Sequence, residues 1–144
     1  MTTISDYMRK DHERCDQLFA ESEEAVETRR WEEARRLFSE LQTELERHFQ
    51  AEEQILFPVM EARTVDAMGP TGTMRNEHRQ IREGLGEMAG AVNHEDRVGY
   101  LTAGETLLIM IQQHNVKEEQ ILYPMGDRLL GAEATELLDR LRSP

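Results

Sequence analysis

The sequence predicts an all-α protein: an antiparallel up-down-up-down four-helix bundle built from a duplicated helix hairpin, with a short C-terminal helix. Three observations predict it. Apolar residues recur at helical spacing, no segment alternates as a strand does, and "MRKDHERCDQL" from residue 8 returns as "MRNEHRQIREG" from residue 74, an offset of 66. A repeat this long that occurs only twice indicates a duplicated supersecondary unit. The 144 residues suit one domain, placed at 1–144, with repeat units at about 4–66 and 70–130.

Each unit is predicted to contain two helices, because its apolar residues fall on one stripe at steps of three, four or seven. The stripes of the first unit consist of Ile4, Met8, His12, Cys15, Phe19 and Val26, then Leu37, Leu41, Leu45, His48, Glu52, Ile55 and Val59. Those of the second unit consist of Met74, His78, Ile81, Leu85, Met88 and Val92, then Leu101, Leu108, Ile111, His114, Glu118, Ile121 and Met125. Four helices joined by short connections predict the bundle.

The predicted boundaries follow from breaks in these stripes. Polar residues interrupt them around 28–31 and 93–97, and "MGPTGT" at 68–73 is predicted to be the linker between the units because it contains two Gly and a Pro. Pro58 and Pro124 each remove a backbone donor and are expected to kink or end the helix nearby. The final stretch "AEATELLDRLR" is expected to form a small amphipathic helix packed on the bundle.

Composition excludes several classes of partner. The net charge of −12 disfavours binding to nucleic acid or to an anionic membrane surface. No apolar run has the length of a membrane span, and "MTTISDYMRKDHE" contains no apolar signal core. Cys15 is the single cysteine, so an internal disulfide is impossible. We therefore expect a cytoplasmic protein that meets neither nucleic acid nor membrane.

The repeat contains a chemical motif. "HFQAEEQILFPVM" at 48–60 returns as "HNVKEEQILYPMG" at 114–126, and each places a Glu four residues after a His, on the same face of a helix. His12 and His78 lie on the inward stripes of the other two helices at the same offset. The predicted core therefore contains four imidazoles and two carboxylates, contributed by His12, His48, Glu52, His78, His114 and Glu118.

Buried carboxylates and imidazoles need partners, and two metal ions bridged by the two glutamates would supply them. A polar network without metal and a single structural zinc ion are the alternatives. Imidazole with carboxylate and no thiolate suits Fe, Mn, Zn or Cu(II), and two such ions in a bundle core indicate a di-iron centre. The ferritin-like Glu-x-x-His motif is excluded, because no His has a Glu three residues before it.

At these residues the chain resembles the hemerythrin-like family, also called the HHE cation-binding domain, from His12 to about Met125. The resemblance implies an antiparallel four-helix bundle that holds two Fe ions joined by carboxylates and an oxo or hydroxo bridge, with Zn or Mn as possible substitutes. It also implies reversible chemistry with O2, NO or peroxide.

The match is closer to one branch of that family. Its oxygen carriers use five His, one Glu and one Asp, whereas the residues four positions from His78 are Met74 and Arg82. The carriers' Asp corresponds to Glu119 here. Glu53 and Glu119 are expected to be solvated, although Glu119 could substitute for Glu118. The chain resembles instead the bacterial members with four His and two Glu that are implicated in repair of iron centres. Those members usually carry a Cys-containing N-terminal region, which we do not expect here.

The expected function is that of a non-haem di-iron protein that binds or senses O2, NO or peroxide in oxidative or nitrosative stress. A di-iron enzyme with peroxidase-like, catalase-like or NO-reducing turnover is one alternative, and an iron donor for damaged iron centres is another. The expected partner is a small diatomic ligand or peroxide, and the oligomeric state stays open.

Several neighbours of the motif carry further expectations. Cys15 is expected to be a small core residue, with an oxidation-responsive thiol as the alternative. Tyr7 and Tyr123 are expected to pack at bundle ends with their hydroxyls in water, or alternatively to donate to the site. The methionines beside His12 and His78 are expected to form its apolar wall, and His94 to be a solvated surface residue.

Overall fold

The computed structural model describes residues 2–142, and every regular element in this range is helical, which confirms the all-α prediction. The α-helices are α1 (Ile4–Glu27), α2 (Trp31–Ala51), α3 (Phe57–Arg63), α4 (Met68–Asn93), α5 (Arg97–Lys117), α6 (Tyr123–Leu130) and α7 (Ala134–Arg142). Two π-helical turns, Glu52–Leu56 and Glu118–Leu122, join α2 to α3 and α5 to α6. Short 3₁₀ turns at Val65–Ala67 and Gly131–Glu133 precede α4 and α7.

The four long helices form a bundle. Helix α1 packs along α2, and α4 packs along α5, so each repeat unit is a helix hairpin. Helix α1 also contacts α5, and α2 contacts α4, which brings the two hairpins together. The alternating direction of the four helices stays a prediction from the short connections.

Both hairpin connections lie where the polar breaks predicted them, at 28–30 and 94–96. Each contains a non-glycine residue with positive φ, Arg29 at 58° and Glu95 at 54°. These two residues are 66 positions apart, so the duplication extends to the backbone of the turns. In the second connection the Asp96 side chain accepts a hydrogen bond from the Gly99 backbone, 2.9 Å away, and caps α5.

The prediction that residues 68–73 form a linker is wrong, because these residues form the first turns of α4. Pro70 is the third residue of that helix, where a backbone N–H would have no intrahelical partner, so proline is tolerated. The connection between the units lies earlier, at Thr64, whose backbone is extended and whose hydroxyl accepts from the Asp66 backbone. The buried Thr71 hydroxyl contacts Glu61, and Arg75 pairs with the same carboxylate, which ties α4 to α3.

The two "EEQIL" segments form the π-helical turns, and the chain continues as helix past both prolines. The N–H groups of Phe57 and Tyr123 donate to the carbonyls of Glu52 and Glu118, five residues back. Each turn thus contains one extra residue, which shifts the buried stripe by one position.

Because of this shift, the prediction that four residues lie in the core is wrong. Ile55, Val59 and Met125 are only partly buried, and Ile121 is 56% exposed. The stripe predicted from helical spacing could not include the extra residue. The residues buried in their place are Leu56, Met60, Leu122 and Gly126.

The remaining stripes agree with the prediction in α1, α2 and α4, where every named position is buried. In α5, Ile111 and His114 are buried, whereas Leu101 and Leu108 are partly exposed. The predicted C-terminal helix is confirmed as α7, which buries Leu137, Leu138 and Leu141 in the apolar cluster that contains Ile4 and Met60. Among the described residues, no helix has the length and apolar character needed to cross a bilayer.

Asp127 in α6 fixes the start of α1. Its carboxylate accepts hydrogen bonds from the Ile4 backbone at 2.8 Å and from the Ser5 hydroxyl at 2.7 Å. Removing it would leave N-terminal helix donors without a partner. We expect Asp127→Ala to lower the free energy of unfolding by about 1–2 kcal/mol, measured by urea denaturation. Asp139→Ala, at an exposed position of α7, is the matched control and should change it by less than about 0.5 kcal/mol.

Candidate metal centre

The structure brings all six predicted residues together in the middle of the bundle. Along each long helix they lie between two apolar clusters, one around Phe19 and Leu41 and the other around Met8 and Phe57. All six are buried, with Glu52, His78 and Glu118 fully inaccessible. A group of six ionisable side chains at this depth requires partners, because unpaired burial of such groups is costly.

The six residues fall into two groups that share a glutamate. The first consists of Glu52, His78, His114 and Glu118, and the second of His12, His48 and Glu118; within each group, one potential ligand atom per residue lies within 4.8 Å of the others. The histidines of one repeat unit therefore lie together. This pairing was open from the sequence, since both combinations satisfy the repeat.

Each histidine directs its Nε2 atom at one of the two glutamates. His12 Nε2 lies 3.0 Å and His114 Nε2 lies 3.3 Å from Glu118 Oε1. His78 Nε2 lies 3.1 Å and His48 Nε2 lies 3.4 Å from Glu52 Oε1.

Four atoms of the first group make no hydrogen bond of acceptable geometry among the described residues, although some of them lie close to one another. They are Glu52 Oε1, His78 Nε2, His114 Nε2 and Glu118 Oε2. Buried polar atoms are rarely left in this state. Two imidazole nitrogens and two carboxylate oxygens in one place are a donor set that first-row metal ions accept. The residues present therefore fit a metal ion.

A carboxylate outside the centre contacts the other ring nitrogen, Nδ1, of every one of these histidines. The pairs are Glu119 with His12 at 2.7 Å, Asp11 with His48 at 2.6 Å, Glu53 with His78 at 2.6 Å and Glu77 with His114 at 2.8 Å. A carboxylate at Nδ1 fixes the proton there and leaves Nε2 free to bind a metal. Every imidazole is thus oriented from outside the centre.

The expectation that Glu53 and Glu119 are merely solvated is therefore wrong. Their side chains are only partly accessible, at 23% and 28%, because each reaches back to a histidine of a neighbouring helix. The sequence contained a signal for these residues: Asp11 and Glu77 directly precede a histidine at the repeat offset, and Glu53 and Glu119 are also 66 apart.

A basic side chain near the surface contacts each of these outer carboxylates. Glu53 accepts from Arg82 at 3.0 Å, and Glu119 accepts from Arg9 at 3.4 Å. Lys117 pairs with Glu77, and Arg47 lies 3.4 Å from Asp11.

These contacts favour the charged form of three of the outer carboxylates, Asp11, Glu53 and Glu77. Burial opposes ionisation of Glu53, but hydrogen bonds from Arg82 and His78 outweigh it and lower the pKa of Glu53. Burial is likewise outweighed at Glu77 by Lys117 and His114, and at Asp11 chiefly by His48, so their pKa values are also lowered. Charged carboxylates are the stronger acceptors for Nδ1–H.

Substitution of Glu77 tests the role of the outer carboxylates. We expect Glu77→Ala to weaken metal binding by about 10–100-fold, because His114 would lose the contact that orients it. The measurement is competition with a calibrated chelator. Glu87→Ala, on the exposed face of the same helix, should leave the affinity unchanged; equal affinities for both variants would contradict the orienting role.

Tyr123 corrects a second expectation, since its hydroxyl is buried at the centre and not in water. The hydroxyl donates to Glu52 Oε2 at 2.6 Å and lies 2.8 Å from Glu118 Oε1. It is also 3.1 Å from His12 Nε2 and 3.3 Å from His48 Nε2. Burial and the two carboxylates raise the pKa of Tyr123 well above its usual value. Tyr7, the other tyrosine considered, is partly buried beneath Arg142.

The remaining neighbours behave as expected. Met8 and Met74 are buried beside the centre, at 1% and 4% exposure. Cys15 is buried in the apolar cluster, and burial raises the pKa of its thiol to about 11. The thiol therefore stays protonated at neutral pH, which favours the core role over a reactive one. His94 is exposed at the end of α4 and takes no part in the centre.

The family model described as the hemerythrin HHE cation-binding domain matches residues 3–126. The cluster of four histidines and two glutamates fits the bacterial type of this domain. No curated protein and no solved structure matches the chain significantly. The match spans most of the chain and includes every residue of the centre, so the protein belongs to the hemerythrin HHE cation-binding domain family and is a metal-binding protein.

Proposed function

We propose that this chain is a non-haem di-iron protein that binds or senses O2, NO or peroxide. Two irons would be held by His12, His48, Glu52, His78, His114 and Glu118, with the two glutamates bridging. The observation that supports this most directly is the pair of ligand groups that share Glu118. The ligand set of imidazole and carboxylate without thiolate also suits zinc and manganese. Iron is proposed because the chain belongs to the hemerythrin HHE family and offers two adjacent ligand groups in a bundle core.

When bound, the two irons would supply the redox chemistry with a small oxidant. The chain's own residues hold the six ligands in position and keep bulk water away. His78 is enclosed by Phe49, whose ring stacks on it at 4.1 Å, and by Phe57 at 6.0 Å. Met8 and Met74 add apolar surface. A centre enclosed this tightly suits a diatomic molecule or peroxide and has no room for a large substrate.

We place this activity in the response to oxidative or nitrosative stress, in the cytoplasm. Reversible binding or sensing is the first candidate. An enzyme would instead consume peroxide or NO in excess of the protein, and an iron donor would release its iron to an acceptor. The iron-loaded protein should therefore also be tested for consumption of peroxide or NO and for transfer of iron to an acceptor. A positive result in either test would favour that function over reversible binding.

The first test is metal content with an optical spectrum. Freshly purified protein should contain about two irons per chain. Its near-ultraviolet charge-transfer bands should bleach on anaerobic reduction and return in air. A chain that takes up no iron after supplementation, or holds one tight zinc ion, would contradict the proposal.

A further inference from the structure

We propose that the two metal positions are inequivalent, and that the position formed by Glu52, His78, His114 and Glu118 fills first and releases its ion last. We name it the tight position. The position formed by His12, His48 and Glu118 is named the exchangeable position. The inference rests on the proposed di-metal function and goes beyond it, because the sequence repeat by itself predicts two equal positions.

The first argument is the state of the ligand atoms. The four ligand atoms that make no hydrogen bond among the described residues are all on residues of the tight position, and of these residues only Glu118 is shared with the exchangeable position. An ion that enters there displaces no protein hydrogen bond and satisfies four buried atoms at once. Interactions that require no prior rearrangement contribute most fully to affinity.

The exchangeable position differs because Tyr123 already contacts its ligand atoms. The hydroxyl lies 3.1 Å from His12 Nε2 and 3.3 Å from His48 Nε2. It also lies 2.8 Å from Oε1 of Glu118, the glutamate of the same group. An ion that enters this position must displace the hydroxyl from these contacts, and this lowers the net gain.

The repeat shows that this difference arises from single residues. The counterpart of Tyr123, 66 positions earlier, is Phe57, which stacks on His78 and has no hydroxyl to offer. The counterpart of Phe49, the other ring on His78, is Asn115. His78 is therefore enclosed by two aromatic rings, and His12, its own counterpart, is not enclosed in the same way.

Of the two histidines that are equivalent in the repeat, His78 at the tight position has a more firmly held outer carboxylate than His12 at the exchangeable position. Arg82 holds Glu53, the partner of His78, with two contacts at 3.0 and 3.2 Å, and its guanidinium lies 5.3 Å from the centre of the Phe49 ring. Arg9 holds Glu119, the partner of His12, by one contact at 3.4 Å. A more rigid set of ligands loses less conformational freedom when it binds.

Stepwise loading with Co²⁺ tests the order of filling. At one equivalent of Co²⁺, native mass spectrometry should show mostly the species with one ion, and the affinities of the two steps should differ by at least about tenfold. The matched variants are His12→Ala and His78→Ala, which alter equivalent positions of the repeat. His12→Ala should keep the first step within about threefold and weaken the second, whereas His78→Ala should weaken the first step by at least about tenfold.

A release experiment on the unaltered chain avoids any folding defect of the variants. Protein loaded with two Co²⁺ ions should lose one ion rapidly and the other slowly when excess chelator is added. Two steps of equal affinity, a single release phase, or an equal effect of the two histidine variants on the first step would overturn the inference while leaving the di-metal centre intact. A chain that binds fewer than two ions would overturn the proposed di-metal function as well.

Discussion

Replacing Glu118 with glutamine is expected to reduce the bound metal from two ions per chain to one or fewer. Glu118 belongs to both ligand groups, and its Oε1 atom lies within 3.3 Å of His12 Nε2 and His114 Nε2. Glutamine keeps the shape of the side chain but removes the negative charge. It also introduces an amide N–H₂ group that cannot bind a metal. One substitution therefore impairs both positions.

The measurement combines metal content with the rise in melting temperature that metal produces. Comparing each protein with its own metal-free form separates loss of metal from any direct effect on folding. Glu105→Gln, at an exposed position of α5, is the control and should keep the full rise. Glu52→Ala is also expected to lower the metal content and the rise, because Glu52 belongs to the group with His78 and His114. Full metal content with an unchanged rise in both variants would refute this ligand set.

The centre could be predicted because its ligands follow simple helical geometry. His48 and Glu52 are four residues apart, as are His114 and Glu118, and this spacing places each pair on one face without knowledge of any other helix. The offset of 66 then assigns His12 and His78 to equivalent positions. These relations are local or internal to the repeat, so they could be predicted without a structure.

The outer carboxylates depend on tertiary contacts that spacing does not encode. Glu119 is 107 positions from His12 in the chain, and Asp11 is 37 from His48. Five residues along an ideal helix, Glu119 should point about 140° away from His114, which favoured a solvated side chain. That direction faces α1 in the bundle, where His12 is within reach. A pair of this kind can be predicted only when the neighbouring helix is known.

The predicted position of Tyr123 at a bundle end was wrong because the prediction from the sequence did not include the π-helical turn. The turn adds one residue between Glu118 and the segment that follows, so an aromatic residue five positions on lies above the same carboxylate, with Tyr123 Oη 2.8 Å from Glu118 Oε1. The uniform period of 3.6 residues assumed from the sequence predicted Ile121 at the core instead. Glu52 and Glu118 are each the first residue of such a turn. Single π-helical turns within α-helices often occur at functional sites.

In the metal-free centre, the carboxylates change the pKa values of two histidines. Burial lowers the pKa of His114, but Glu118 and the other carboxylates outweigh it and raise that pKa to about 9. The pKa of His48 is raised well above its usual value, because Glu52 and Asp11 outweigh burial in the same way. Without metal, the carboxylates beside these imidazoles therefore favour their protonated form at neutral pH. A bound metal ion would take the place of those protons.

Removal of the metal is therefore expected to destabilise the protein more at pH 9 than at pH 6. A histidine whose folded pKa lies above its unfolded value contributes stability that is complete below pH 6.5 and is lost as pH rises through about 9. The stabilisation that bound metal provides increases as pH rises, because fewer protons then compete with the metal for the same imidazoles. At pH 7.5, with metal about a thousandfold above its dissociation constant, the stabilisation is about 4 kcal/mol, or roughly 10 °C in melting temperature for a chain of this size. Thermal melts of metal-free and metal-loaded protein at pH 6, 7.5 and 9 measure the difference. A difference that stays constant with pH would show that the histidines are not the groups that exchange protons for metal.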